Sequence, residues 1–248
     1  MINIKTPDEL KKMRESGRLA ASCMEEIIAH IRPGVTTKQL DIVAEQYIMS
    51  RGAWPSFKDY RGFPASICAS VNDSVVHGIP DGHMLKDGDI IGIDFGAILD
   101  GYHSDMARTV PVGDVSPEAH RLIEATKQCF YAGYEQAVEG NRVGDIARAV
   151  EAKAKAAGYT VVHELVGHGI GKNLHEPPDV PNFAFKGPNP RLRAGMVICI
   201  EPMVNMGSEK VYWGDDGWIV KTKDGSLSAH YENTVAVTDN GPEILTKV

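Results

Sequence analysis

The chain has 248 residues, 43% of them hydrophobic and 24% charged, with a net charge of −7. That size allows one large domain or two small ones with a sizeable core, and the acidic balance argues against nucleic acid as the main partner. No apolar run is long enough for a bilayer, and MINIKTPDELKKM lacks a secretion signal's hydrophobic region. Cys23, Cys68, Cys129 and Cys199 form no CxxC pair, so free thiols in a reducing cytoplasm are expected.

In chain order, Thr6-Pro7-Asp8-Glu9 opens a first helix, with Thr6 as cap, Pro7 in the first turn and Glu9 completing a capping box. It runs to about Ile31, before Pro33-Gly34, and its Lys11, Lys12, Arg14 and Arg18 face reads as solvated. Thr36-x-x-Gln39 caps a second helix that ends near Gly52. Residues 53–66 read as an aromatic loop with Trp54, Phe57, Tyr60 and Phe63. Strands are expected at 66–71 and near 75–77, then a hairpin over 90–110. Ser116-Pro117-Glu118 starts a third helix ending near Gly140, and a fourth covers about 145–157 before Gly158. The remainder reads as strands at 160–166, 196–200, 218–221 and 229–238, with a glycine- and proline-rich stretch over 167–190.

The hairpin IIGIDFGAILDGYHSDMARTV organises the rest. Asp100-Gly101 between two β-rich runs signals a type I′ turn, which needs positive φ at both central residues. Leu99 then pairs with Tyr102 and Gly96 with Asp105. Alternation places Asp94 and Asp105 on one face as diagonal neighbours, roughly 7–8 Å apart at most. Asp94 lies among Ile90, Ile91, Ile93 and Phe95, and a buried carboxylate must be paired, hydrogen-bonded or metal-bound. Backbone amides or Arg108 could satisfy two acids; a cation, or two side by side, could too.

The chain also repeats itself. Gly34, Leu40 and Gly52 recur as Gly140, Ile146 and Gly158, and His77-Gly78-Ile79 recurs as His168-Gly169-Ile170. LKDGDIIGID, ending at Asp94, aligns without gaps on LRAGMVICIE, ending at Glu201. Two related α+β halves, about 1–112 and 113–248 of a single domain 1–248, would bring acids from both to a shared cleft. Glu232, in the alternating strand AHYENTVAV, is expected to play the part of Asp105. Four carboxylates in one cleft repel unless cations neutralise them, and two divalent ions match their charge. Among nine histidines, His77, His168 and His175 are the site candidates, because GHGIG leaves room for close approach at His168. His103 shares the aspartate face as an outer group. His30, His83, His120, His163 and His230 are assigned structural or surface roles.

The residues His77, Asp94, Asp105, His168, His175, Glu201 and Glu232, in the contexts VVHGIP, IDFG, HSDMART, GHGIG, LHEPP, IEPMVN and YENT, resemble those of the type I methionine aminopeptidases over nearly the whole chain. The resemblance implies the pita-bread fold, with two pseudo-symmetric halves around a dinuclear metal site. It implies that Asp94 chelates one metal, that Asp105 and Glu232 bridge both, and that His168 and Glu201 complete the second. Two divalent ions per chain, Co²⁺, Mn²⁺, Fe²⁺ or Zn²⁺, are expected, with a shared water or hydroxide as nucleophile and Glu201 as proton acceptor and donor. His77 and His175 would bind the substrate amide and the developing oxyanion. Phe57, Tyr60, Phe63, Cys68, His77, Leu174 and Trp218 would form the methionine pocket, although some relatives carry an aromatic residue in place of Leu174 and a tyrosine in place of Phe63.

The implied reaction removes N-terminal methionine from nascent polypeptides when the second residue is small and uncharged. A cytoplasmic monomer is expected, with the ribosome near the exit tunnel as a further partner, no nucleic acid as substrate and no membrane association. Xaa-Pro aminopeptidases and prolidases share the five ligands but normally carry an extra N-terminal domain, whereas here the first helix begins at Thr6. A pita-bread binding protein that had lost catalysis would be expected to lack ligands, and all five are present.

Overall fold

A computed structural model describes residues 2–248. Helix α1 spans Pro7–His30, and Thr6 caps it as a box: Glu9 N donates to Thr6 Oγ1 at 3.3 Å and Thr6 N to Glu9 Oε2 at 2.9 Å. Helix α2, Thr37–Met49, starts in the same way at Thr36 and Gln39. Together they cover one half of a large sheet. Met24, Ile27, Leu40 and Ile48 pack there on Ile91, Ile93 and Phe95, leaving intervening Asp94 to face the other way. Helices α3, Pro117–Tyr134, and α4, Val143–Ala156, cover the other half, where Leu122, Phe130, Ile146 and Val150 meet Ile198, Ile200 and Val235. No helix among the described residues is long and apolar enough to cross a membrane.

The hairpin forms in the expected register. Leu99 pairs with Tyr102, Gly96 with Asp105 and Asp94 with Ala107, and φ is +50° at Asp100 and +78° at Gly101. Strand Tyr102–Pro111 then pairs with Ser228–Thr238, which pairs in turn with Val197–Ile200. One eleven-stranded sheet therefore runs across both halves. The repeat is visible in the backbone: Gly34 and Gly140 have φ of +90° and +91°, and their N–H groups donate to Leu85 and Leu192. The bridges Thr36 to Met84 and Arg142 to Arg191 also correspond.

The register corrects one assignment. Ile200 pairs with Asn233 and Met203 with His230, which sets Glu201 opposite Glu232, as Asp94 is opposite Ala107. Ala107 and Glu232 pair with each other at the junction of the halves, so the local two-fold axis passes between them. Glu232 is therefore the counterpart of Ala107. The counterpart of Asp105, two residues away on the same face, is His230.

Other boundaries moved for local reasons. Helix α3 stops at Tyr134, where i→i+3 bonds from Gln136 and Ala137 tighten the chain so that Gly140 can reach Leu192. Helix α4 begins two residues early because Asp145 accepts from Arg142 N at 2.7 Å. The strand expected over 160–166 is only Thr160–Val161. Short strands at Met203–Asn205, Val211–Trp213 and Gly241–Ile244 were not expected.

The glycine- and proline-rich stretch contains strands Gly167–Gly169 and Glu176–Val180. The second lies at the end of the sheet order, where prolines are tolerated. The glycines around His168 serve strand packing rather than ligand access: a Cβ on Gly167 would sit 2.4 Å from Cys199 O, and one on Gly169 2.3 Å from Pro177 O. Gly169→Ala should therefore destabilise the protein by about 1–3 kcal/mol, lowering the melting temperature by several degrees in a thermal unfolding measurement. An unchanged melting temperature would show that the strands have slack there.

Candidate metal centre

The carboxylates of Asp94, Asp105, Glu201 and Glu232 line one cavity of about 190 Å³ with His77, His168 and His175. Asp94 and Asp105 come from the first hairpin, Glu201 follows strand Val197–Ile200 and Glu232 lies in Ser228–Thr238. Asp94, Asp105 and Glu232 are thus fixed within paired strands, and Glu201 directly follows one. Thr234 holds the bridge between halves: Asp105 N donates to its Oγ1 at 2.9 Å, and that hydroxyl donates to Asp105 O at 2.8 Å.

Arg108, the alternative partner for these acids, goes elsewhere. Its guanidinium donates to the carbonyls of Ala107 and Glu232, at 2.7 and 2.6 Å, and to Asn233 Oδ1 at 2.7 Å. Asp94 Oδ1, Asp105 Oδ1 and Glu232 Oε1 are buried with no hydrogen-bond partner. Burial holds the Asp94 carboxyl up at about 7. Burial and the neighbouring carboxylates raise Asp105, Glu201 and Glu232 well above the usual range. Orphaned oxygens on crowded acids are what a cation site requires.

His168 fits the same site. It is 7% exposed, and its Nδ1 lies 2.8 Å from Gly169 O, so Nδ1 carries the proton and Nε2 offers a lone pair. Nε2 sits 3.7 Å from Asp105 Oδ2 and 3.6 Å from Glu201 Oε1. Burial lowers its pKa to about 4, keeping the ring neutral and able to ligate. Oxygen donors with one imidazole suit Mn²⁺, Fe²⁺, Co²⁺ or Zn²⁺.

His175 stacks on Tyr60 with ring centroids 5.3 Å apart, and its Nδ1 is 2.9 Å from the Tyr60 hydroxyl. Burial, reinforced by His168, lowers its pKa to about 3. His77 has φ of +61°, a sparsely populated conformation for a side-chain-bearing residue, and burial lowers its pKa as well. His103 shares the aspartate face but turns to Ser56, with Nδ1 2.9 Å from Oγ. Phe57, Tyr60, Phe63, Cys68, Leu174 and Trp218 form an apolar wall of the same cavity; Phe63 and Trp218 meet edge to face at 5.2 Å.

The structure also brings in residues that were not singled out. Arg61, Val76, Leu165, Val166 and Met203 complete the lining. His230, assigned a structural or surface role, has its Nε2 3.7 Å from both Glu201 Oε2 and Glu232 Oε2. The signal was present in the sequence: His230 precedes Glu232 by two residues in an alternating strand, so both face one way.

A buried carboxylate cluster with neutral imidazoles against it, built on a two-fold sheet beside an apolar slot, defines a class: a metallohydrolase centre. Comparison with known proteins agrees. The sequence pattern of metallopeptidase family M24 matches residues 11–239. The chain is 52% identical over 248 residues to the methionine aminopeptidase of Clostridium perfringens, covering 100% of both chains. The crystal structure of methionine aminopeptidase from Rickettsia prowazekii superposes with a TM-score of 0.97 at 42% identity, over 99% of this chain and 100% of that one. The Xaa-Pro dipeptidase of Bacillus anthracis is more distant, with a TM-score of 0.79, 25% identity and 62% of its chain covered.

The chain belongs to the M24 metallopeptidases, in their methionine aminopeptidase branch. It is a metallo-aminopeptidase with the pita-bread fold, and it binds divalent metal.

The raised carboxyl pKa values have a measurable consequence. The metal-free cluster keeps protons at pH 7 that an ion must displace. Binding heats should therefore depend on the ionisation enthalpy of the buffer, with at least one proton released. The folded acids also bind protons that the unfolded chain gives up above about pH 4. Metal-free protein should accordingly lose stability as pH rises from there towards 7. Buffer-independent heats would contradict the burial argument.

Proposed function

We propose that Asp94, Asp105, His168, Glu201 and Glu232 would hold two divalent ions, with Asp94 on the side of one, His168 and Glu201 on the side of the other, and Asp105 and Glu232 between them. The proposed reaction is removal of N-terminal methionine from polypeptides whose second residue is small and uncharged. The observation that supports this reading is that the apolar wall of Phe57, Phe63, Cys68, Leu174 and Trp218 lines the same cavity as the orphaned carboxylates. A flexible thioether fits such a slot while the peptide's first carbonyl lies among the acids.

When bound, the ions supply Lewis acidity that polarises a carbonyl and makes water acidic near neutral pH. Glu201 takes the proton of the attacking water and returns it to the leaving amine as the carbon–nitrogen bond breaks. The Tyr60 hydroxyl donates to His175 Nδ1, which leaves Nε2–H to donate to the substrate carbonyl as negative charge builds there. His77 binds the peptide amide. The ion that Asp94 would hold could receive a free α-amine, which would account for exopeptidase action. A bulky second side chain would crowd His77 and His175 and displace the scissile carbonyl, and small misplacements cost rate heavily. Cytoplasmic nascent chains near the ribosomal exit tunnel are the proposed substrate pool, met by a monomer.

The test is methionine release from Met-Ala-Ser, Met-Gly-Ser, Met-Lys-Ser, Leu-Ala-Ser, Ala-Pro-Ser and N-acetyl-Met-Ala-Ser. Rapid cleavage of the first two is expected, with little of Met-Lys-Ser and none of the acetylated peptide. Leucine should lose to methionine only modestly, because apolar pockets separate similar side chains by about 1–3 kcal/mol. Efficient cleavage of Ala-Pro-Ser with poor cleavage of Met-Ala-Ser would favour a proline-peptide hydrolase. In the same assay His77→Ala and His175→Ala should each lower turnover on the order of 10²–10³-fold with full metal content; loss of an ion from either would refute its role.

A further inference from the structure

Two clusters of donors meet at Glu232. In one, Asp105, His168, Cys199 and Glu232 bring ligand atoms within 4.8 Å of one another; in the other, Asp94, His230 and Glu232 do the same. The first contains the imidazole of the expected ligand set. The second has an imidazole of its own.

His230 is 3% exposed, and its Nε2 is buried with no hydrogen-bond partner. At 3.7 Å from both Glu201 Oε2 and Glu232 Oε2, it is too far for a hydrogen bond. Donors held about 2.0–2.2 Å from one ion lie roughly 3–3.6 Å from their neighbours, close to the spacing seen. The backbone cannot turn the ring away. His230 N donates to Thr109 Oγ1 at 2.8 Å, the Thr109 hydroxyl donates to His230 O at 3.0 Å, and His230 pairs with Met203. The two-fold axis sets His230 where Asp105 stands in the other half, so its side chain faces the centre by construction.

We propose that His230 is a sixth protein donor of the metal centre, an imidazole ligand for the ion held by Asp94 and Glu232. Each of the two ions then has one histidine, His168 or His230, and they share Glu232. Without an ion, His230 would be a buried polar nitrogen facing two carboxylates with no bond to either.

The inference rests on the two-ion reading, and the experiment separates the two. Metal-free wild type, His230→Ala, His230→Gln and His168→Ala are titrated with Co²⁺ and followed by isothermal titration and by NMR of hyperfine-shifted, exchangeable imidazole N–H protons. Wild type should show two such protons. His230→Ala and His230→Gln should each keep one, and His230→Ala should bind its second Co²⁺ at least about tenfold more weakly, the scale that loss of outer partners already reaches. Should His230→Ala not fold, the glutamine variant still decides through its N–H signals. Two wild-type signals persisting in both His230 variants, with one lost in His168→Ala, would overturn the role of His230 and leave the centre intact. Wild type binding no Co²⁺, or only one equivalent, would overturn both.

Discussion

Four carboxylates, those of Asp94, Asp105, Glu201 and Glu232, are held together in the middle of the sheet, and among the described residues only His168 and His230 come within ion-pair distance of them. Burying one unpaired charge costs several kcal/mol even after relaxation, and four like charges add mutual repulsion. Without ions the acids can relieve this by staying protonated, which is the direction in which their pKa values are pushed. With ions the same crowding becomes affinity. The rest of the fold keeps the acids from moving apart: paired strands, helices on one face, and Thr234 tying the halves at Asp105.

The two-fold symmetry of the scaffold is broken where the chemistry lies. Asp94 has Glu201 as its counterpart, Asp105 has His230, and Ala107 has Glu232. His77 corresponds in sequence to His168, yet it adopts a left-handed backbone while His168 sits in a strand. Equivalent positions thus supply different donors. Phe57, Phe63, Cys68, Leu174 and Trp218 belong to one apolar cluster along the cavity.

Much of this was legible in the sequence because it is local. Asp100-Gly101 set the hairpin register, and the capping pairs Thr6–Glu9 and Thr36–Gln39 set two helix starts. The gapless alignment ending at Asp94 and Glu201 revealed the repeat. What failed was long-range. The pairing of Ala107 with Glu232 joins strands 125 residues apart, and nothing near either residue announces it; hence Glu232 was matched to Asp105. The glycines around His168 looked like open space because the strands that crowd them are remote in sequence. The alternation of strand Ser228–Thr238 puts His230 on the face of Glu232, but its approach to Glu201 depends on strands remote in sequence.

The central claim is that this cluster works only through divalent cations, and chelation with add-back tests it most directly. The protein is stripped of metal, its metal content verified, and release of methionine from Met-Ala-Ser followed as Mn²⁺, Co²⁺, Fe²⁺ or Zn²⁺ is returned in substoichiometric steps. The expected result is no turnover in the stripped protein and recovery as ions are added. Full activity in protein verified to hold no metal would contradict it.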